Sequence, residues 1–396
     1  MRTKPNISFD NIQVAFAAKS DAALKKMFMI FKIMNNRIAV KLGTGLAKFA
    51  LKIRLPIDGF IKKTVFEQLC GGESISDSVS SIRKLQEFGI GSVLDYSVEG
   101  EDDEESFDRT RDEILKVIKL AGSTEGLPFA VFKVTGIGDH RLMSKIQQGV
   151  VLSDAEKSLF DKMKQRFDQI CKAAYEAGTR VMVDGEESWY QDVIDRLVDE
   201  AMGKYNKTTA VVYNTYQLYR RGMMRNLRDA HYKAVAGGYY LGAKLVRGAY
   251  MEKEAKRAWK NGYPNPIQPT KDDTDQAFDK AVLFCINNKQ RVFMVNGTHN
   301  ELSSLILTEL MSLHGVKPND ERFYFIQLYG MSDHISYNLA KAGYRVAKYL
   351  PYGPVRAVMP YLFRRAEENT SIAGQSSREL ALVTKELARR KALKKQ

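Results

Sequence analysis

The stretch TRVMVDGEESWYQDVIDRLVDEAMGKYNKTTAVVYNT, residues 179–215, decides the fold. TRVMVD (179–184) is a short apolar run closing on an acid, and TAVVYNT (209–215) is a second such run. Between them Val193, Leu197, Ala201 and Met202 recur at the spacing of one helical face. Near-continuous apolar strands joined by an amphipathic helix mark a parallel sheet covered on both faces, because a strand with one wet face would alternate instead.

The same unit repeats outward in both directions. GSVLDY (91–96), PFAVFKV (128–134), YLGAKLVRG (240–248), RVFMVN (291–296), RFYFIQLY (322–329) and YRVAKYL (344–350) are further strand candidates, and Leu302, Leu305, Ile306 and Leu310 form another helical stripe. Eight strand-then-helix repeats predict an α/β protein with a closed (β/α)8 barrel; an open doubly wound sheet is the alternative. With 44% apolar and 27% charged residues, the 396-residue chain can bury a full core, which excludes a disordered or fibrous protein. Cys70, Cys171 and Cys285 show no metal-ligand spacing and cannot build a disulfide framework, so they read as reduced thiols.

The net charge of +14 implies attraction to a polyanion, either nucleic acid or an anionic membrane surface. The excess lies mainly at the two ends. Residues 24–63 mix cations with apolar residues and read as helices stopped at Gly43, Gly45 and Pro56; Arg378, Lys385, Arg389, Arg390, Lys391, Lys394 and Lys395 outnumber Glu379 and Glu386 at the other end. Each end reads either as a solvated helical surface or as a membrane-surface element. EGEDDEESFD (99–108) reads as the solvated start of a helix. No run of 18 apolar residues occurs, and the first twenty residues have no apolar leader core, so the expected location is the cytoplasm.

The chemistry has to come from strand ends. HExxH, GxSxG and GxxxxGK[ST] are absent, and neither GTG (43–45) nor GIG (136–138) continues to a third glycine, so a nucleotide cofactor would not be held by a Rossmann unit. In a (β/α)8 barrel the reactive groups sit at the carboxyl ends of the strands. Lys133, Asp184 and Asn214 fall there, and Lys244 interrupts the fifth run with Arg247 and Tyr250 just beyond. A lysine in an apolar parallel strand must find a carboxylate, a ligand or water. In PVRAVMPYLFRRAEEN (354–369), Val355, Val358, Met359, Leu362 and Ala366 form an apolar stripe, while Tyr361, Arg364, Arg365 and Glu368 share another face. That face is either a solvated one with an Arg364–Glu368 pair or a guanidinium fork for a carboxylate.

KYLPYGPVRAVMPYLFRRAEEN (348–369), AKLVRGAY (243–250), VMVDGEE (181–187), YNTYQ (213–217), THN (298–300) and FIQLYGM (325–331) together resemble the FAD-dependent proline dehydrogenases, most closely the monofunctional kind of bacteria and mitochondria. The resemblance spans about residues 64–385, between an N-terminal helical extension (1–63) and a basic tail (386–396). It implies a distorted (β/α)8 barrel whose last helix lies over the carboxyl end of the barrel. It also implies oxidation of L-proline to Δ1-pyrroline-5-carboxylate by hydride transfer to FAD, with a membrane quinone as the electron acceptor. Carried over by motif, Arg364 and Arg365 would bind the proline carboxylate, Glu368 and Lys133 would fix that pair, and Asp184 would lie near the ring nitrogen. Tyr250, Leu328, Tyr349 and Tyr361 would shape the pyrrolidine pocket. Lys244 would stand near flavin N5, Asn214 at the pyrimidine edge, and Arg247, Thr298, His299 and Asn300 near the rest of the dinucleotide. Met251 replaces the tryptophan that the bifunctional bacterial enzymes place against the flavin.

Tyr349 favours proline over 4-hydroxyproline, the neighbouring substrate on this fold. A basic nucleic-acid-binding barrel fits the charge but has no motif to support it, so no nucleic-acid partner is expected. Quinone chemistry requires peripheral attachment to an anionic membrane surface, expected at the inner face of a bacterial cytoplasmic membrane. The amphipathic stretch Met27–Lys52 and the tail Arg389–Lys395 are the candidate contacts.

Overall fold

A computed structural model describes residues 7–53, 55–98, 102–371 and 375–395. The eight expected strands form: β1 (Ile90–Tyr96), β2 (Phe129–Phe132), β3 (Arg180–Val183), β4 (Val212–Gln217), β5 (Leu241–Val246), β6 (Val292–Gly297), β7 (Phe323–Leu328) and β8 (Val346–Tyr352). They close in chain order into a barrel. The open-sheet alternative is thereby excluded. The acidic run leads into helix Glu104–Ser123, whose first turn is closed by the Asp103 carboxylate accepting from the Ser106 N–H.

The chain divides into two compact units. One comprises Ser92–Tyr96 and Gly100–Ile326, the other Asn6–Gly91, Ser97–Glu99 and Gln327–Gln396, so far as these residues are described. In the first unit the parallel register pairs Phe129 with Arg180, Met182 with Tyr213, Thr215 with Lys244, and Lys244 with Val295. Registered neighbours in a parallel sheet share a face. Phe129 meets Tyr213 and Tyr324 edge-on at centroid distances of 5.3 and 5.0 Å, and the Arg180 guanidinium lies over both Phe129 and Tyr324. This layer fills the interior near the strand starts. By period two, the same interior face carries Lys133, Asp184, Thr215, Gln217 and Lys244 at the strand ends.

The second unit holds two cores. Phe16, Leu24, Met27, Ile30 and Phe31 pack with Leu382 and Val383, joining helix Asp21–Met34 to helix Gln375–Leu393. Phe66, Leu69, Cys70 and Met331 pack with Val355, Val358, Met359, Tyr361 and Leu362 of helix Val355–Ser371, which realises the apolar stripe read from the sequence. All three cysteines are buried.

Two expectations are corrected here. Gly43 and Gly45 do not stop a helix, because Arg37–Lys52 runs through both; a glycine in a helix interior costs only about 1 kcal/mol relative to alanine, which tertiary packing overrides. Nor is the basic tail a separate solvated piece. Residue 386 lies inside helix Gln375–Leu393, and the buried Glu386 carboxylate accepts from Arg389 and Arg390 at 2.7 Å. Arg390 also donates to the carbonyls of Phe16 and Lys19 and to Asp21, which Lys394 also binds. Arg390 and Lys394 therefore anchor the helix to the N-terminal segment.

Candidate active site

Asp184 follows β3 and Lys244 lies in β5, and their side chains form a salt bridge in the barrel interior. The side chains are 16% and 7% exposed, so the lysine expected to need a carboxylate has one. Thr215 donates to the Val183 carbonyl at 2.6 Å and Gln217 to the Glu186 carbonyl at 2.7 Å, which ties the ends of β3 and β4 together. Gly185 leaves room for Gln217: a Cβ there would lie 2.9–3.0 Å from the Gln217 side chain, which would have to shift. Lys133 is half-buried at the turn after β2 and faces the Glu186 charge.

Glu186 is the residue of this motif that the sequence reading passed over. Its carboxylate accepts the Thr135 N–H at 3.1 Å and the Thr135 hydroxyl. Burial pushes its carboxyl up to about 7; the Thr135 hydrogen bonds oppose this and the neighbouring Glu187 charge adds to it. Glu187 is held by Tyr190 and Lys253, and Glu254 accepts the N–H and hydroxyl of Ser188 at 2.7 and 2.6 Å. Tyr250 is half-buried with the Lys253 ammonium 6.0 Å from its ring, while Met251 is exposed.

Asn214 turns the other way. It is one residue out of phase with Thr215 and Lys244, and its amide donates to Asp195 of helix Ser188–Tyr205 at 3.0 Å. On that register Gln217, not Asn214, shares the face of Lys244. The alternation of side chains along a strand was the signal available for this, once Lys244 had been placed inside.

Arg247 is a hub. It donates to Asp275 and to the Thr298 hydroxyl at 2.6 Å and to Ser303 at 3.0 Å, and stacks on Phe278 at 4.5 Å. Thr298 in turn accepts the Asn300 N–H, and Asn300 caps helix Glu301–Leu313. Arg247, Thr298 and Asn300 thus form one rigid corner after β5 and β6, with His299 half-buried between the last two.

In the second unit, Tyr349 of β8 and Tyr361 are buried, and Leu328 packs against the core that contains Tyr361. Arg364 and Arg365 are half-buried, and the Arg365 guanidinium lies 5.5 Å from the Tyr361 ring centre, the i,i+4 relation the helix predicts. The backbone N–H of Tyr329 donates to the Tyr349 carbonyl at 2.8 Å. The Glu368 side chain lies outside those described.

The first unit thus carries a lysine–carboxylate pair in the barrel interior at the strand ends, and the second carries an arginine pair beside a tyrosine on helix Val355–Ser371. The chain belongs to the proline dehydrogenase family, whose profile matches residues 78–378. It is 37% identical over 320 residues to the carbapenem antibiotics biosynthesis protein CarD of Pectobacterium carotovorum subsp. carotovorum, covering 81% of this chain and 83% of that protein. It is 32% identical over 422 residues to the mitochondrial proline dehydrogenase 1 of Dictyostelium discoideum, covering 95% and 74%. Among solved structures, proline utilization A (PutA) from Bdellovibrio bacteriovorus has the same fold, with a TM-score of 0.70 at 19% identity, over 91% of this chain and 38% of that one.

Proposed function

We propose that the chain oxidises L-proline to Δ1-pyrroline-5-carboxylate with FAD as its cofactor and passes the electrons to a membrane quinone. The observation that carries the reading is the Lys244–Asp184 pair on the interior face of β5 and β3, in a chain of this family. Bound FAD would supply the acceptor for the hydride that leaves C5 of the substrate. The donor set fits such a group: Gln217 ends β4, Lys244 lies within β5, and Arg247, Thr298 and His299 follow β5 and β6, cationic and polar as an anionic diphosphate and an electron-accepting ring require. Gly297 keeps that rim open, since a Cβ there would stand 3.0 Å from the Leu245 carbonyl and Val246.

The protein's own part is positioning and electrostatics. Arg364 and Arg365 are assigned to the substrate carboxylate, a planar anion that guanidinium groups bind bidentately. Tyr349, Tyr361, Tyr250 and Leu328 are assigned to the ring. Lys244 places a fixed positive charge where negative charge develops, and Asp184 keeps that ammonium oriented. The substrate amine has to lose its proton before C5 can give up a hydride, so turnover rises with pH through the amine titration. Tyr349 selects proline by filling the space that a 4-hydroxyl would need. Electron delivery to quinone sets the chain at the inner face of the cytoplasmic membrane as a peripheral protein.

The test is spectroscopic. Protein prepared with added FAD is expected to carry flavin absorbance that L-proline bleaches without oxygen. A chain that retains no flavin, or a bound flavin indifferent to proline, refutes the reading.

A further inference from the structure

Helix Arg37–Lys52 turns an apolar stripe toward solvent. Ile38, Leu42, Leu46, Phe49 and Ile53 recur at one-turn and two-turn spacing and are 50–73% exposed. Nine of the twenty-one large apolar side chains exposed among the described residues fall within residues 29–60. An ordinary soluble surface scatters such residues singly, so a stripe of this kind marks a docking face.

The opposite face of the helix is occupied: Val40 is buried and Ala47 packs on the core built around helix Val355–Ser371. Lys41, Lys48 and Lys52 run along one edge of the stripe, and Lys48 lies over the Phe363 ring at 5.2 Å. From residue 22 to residue 57 the sequence has eight lysines and arginines and no acidic residue.

We infer that this stripe docks on an anionic lipid bilayer, with helix Arg37–Lys52 lying in the plane of the interface. An apolar face flanked by lysines is the pattern of interfacial helices, whose long cationic side chains reach up to the headgroups. Charge selects the bilayer over a second copy of the chain, because each such face is edged by Lys41, Lys48 and Lys52, and two of them would bring six lysines together. The C-terminal cations take no part, since most are held by Glu386, Asp21 and backbone carbonyls. The inference rests on the quinone reading only for its purpose. It sets beside the bilayer the helix that carries Tyr361, Arg364 and Arg365.

The test uses the full chain and sedimentation with phosphatidylcholine vesicles containing or lacking phosphatidylglycerol. The parent is expected to bind the anionic vesicles in low salt and to be released by high salt. Leu42→Gln/Leu46→Gln/Phe49→Gln should lower partitioning by roughly tenfold or more, with an unchanged melting temperature because the side chains are exposed. Lys391→Gln/Lys395→Gln should change it by no more than about twofold, if the tail is not the contact. Phe49→Trp should show a blue-shifted emission with anionic vesicles. Equal binding by the triple variant, or conversion of a parent dimer to a monomer by the same substitutions, overturns the proposal. Proline-dependent reduction of a soluble dye is read on the same preparations. Vesicle binding that follows the stripe without dye turnover sinks the catalytic reading alone, and dye turnover without vesicle binding sinks the docking face alone.

Discussion

Lys348→Met should destabilise the protein. Lys348 is fully buried in β8, its ammonium 2.9 Å from one oxygen of Asp333 and bonded to the Met331 carbonyl. The other Asp333 oxygen lies 3.3 Å from Lys19. Burial alone would raise the Asp333 carboxyl, but the two ammonium groups more than reverse this and hold it at about 2. Removing one partner of a buried pair typically costs about 3–5 kcal/mol, because the remaining charge stays desolvated. Lys19 remains beside Asp333, so the lower end of that range, about 3 kcal/mol, applies. At roughly 2–4 °C per kcal/mol for a unit of this size, the melting temperature should fall by roughly 6–12 °C. A carboxyl depressed in the folded state stabilises above its unfolded value and loses that contribution as pH falls through its folded value. The gap between parent and variant in thermal melts should therefore be full at neutral pH and narrow on acidification from about pH 4 toward 2. Lys348→Met/Asp333→Leu should recover at least half of the loss, since Lys19 can reach water. A single variant that melts with the parent, or a double variant no better than the single, would refute the electrostatic argument.

Glu186→Gln tests the raised carboxyl. A group lifted from 4.5 to about 7 favours the folded state below its unfolded value and loses roughly 3 kcal/mol of that contribution as pH rises across the interval. The variant should show a flatter dependence of melting temperature between those pH values, and an unchanged slope would mean that Glu186 ionises normally. Arg364→Met and Arg365→Met should each weaken proline capture by roughly 2–5 kcal/mol in kcat/KM, as for a lost charge-assisted pair; unaltered kcat/KM in both would return them to a solvated surface role. Tyr349→Ser should raise the ratio of 4-hydroxyproline to proline turnover and increase KM for proline, and a constant ratio places the selection elsewhere.

The buried Lys348–Asp333–Lys19 cluster shows where sequence reasoning stops. YRVAKYL was legible as a strand, but the partner of its lysine lies at the start of helix Asp333–Lys341, and nothing local announces that meeting. Ser332, just before it, adopts a left-handed backbone with φ of 51° and donates its N–H to the buried Glu379 of the last helix. Such a conformation is set by distant contacts, not by the propensity of serine.

The amino-acid pattern by itself determined the eight-strand alternation, because burial on both faces requires apolar runs and helices of 3.6-residue period, and these are local properties. It also placed Lys133, Asp184 and Lys244 at strand ends and Tyr361 with the arginine pair on one helix face. Tertiary structure decided which of those groups meet. Strand parity sent Asn214 out to Asp195 and kept Gln217 inside, and register brought Asp184 to Lys244 across sixty residues of sequence. It also decided which charges are solvated. The C-terminal arginines read as a free tail until packing joined them to Glu386 and Asp21, while the glycine-broken segment before them in the chain proved to be a continuous helix with its apolar face in water. Periodicity tells which residues share a face of an element; only the packing of elements tells what that face meets.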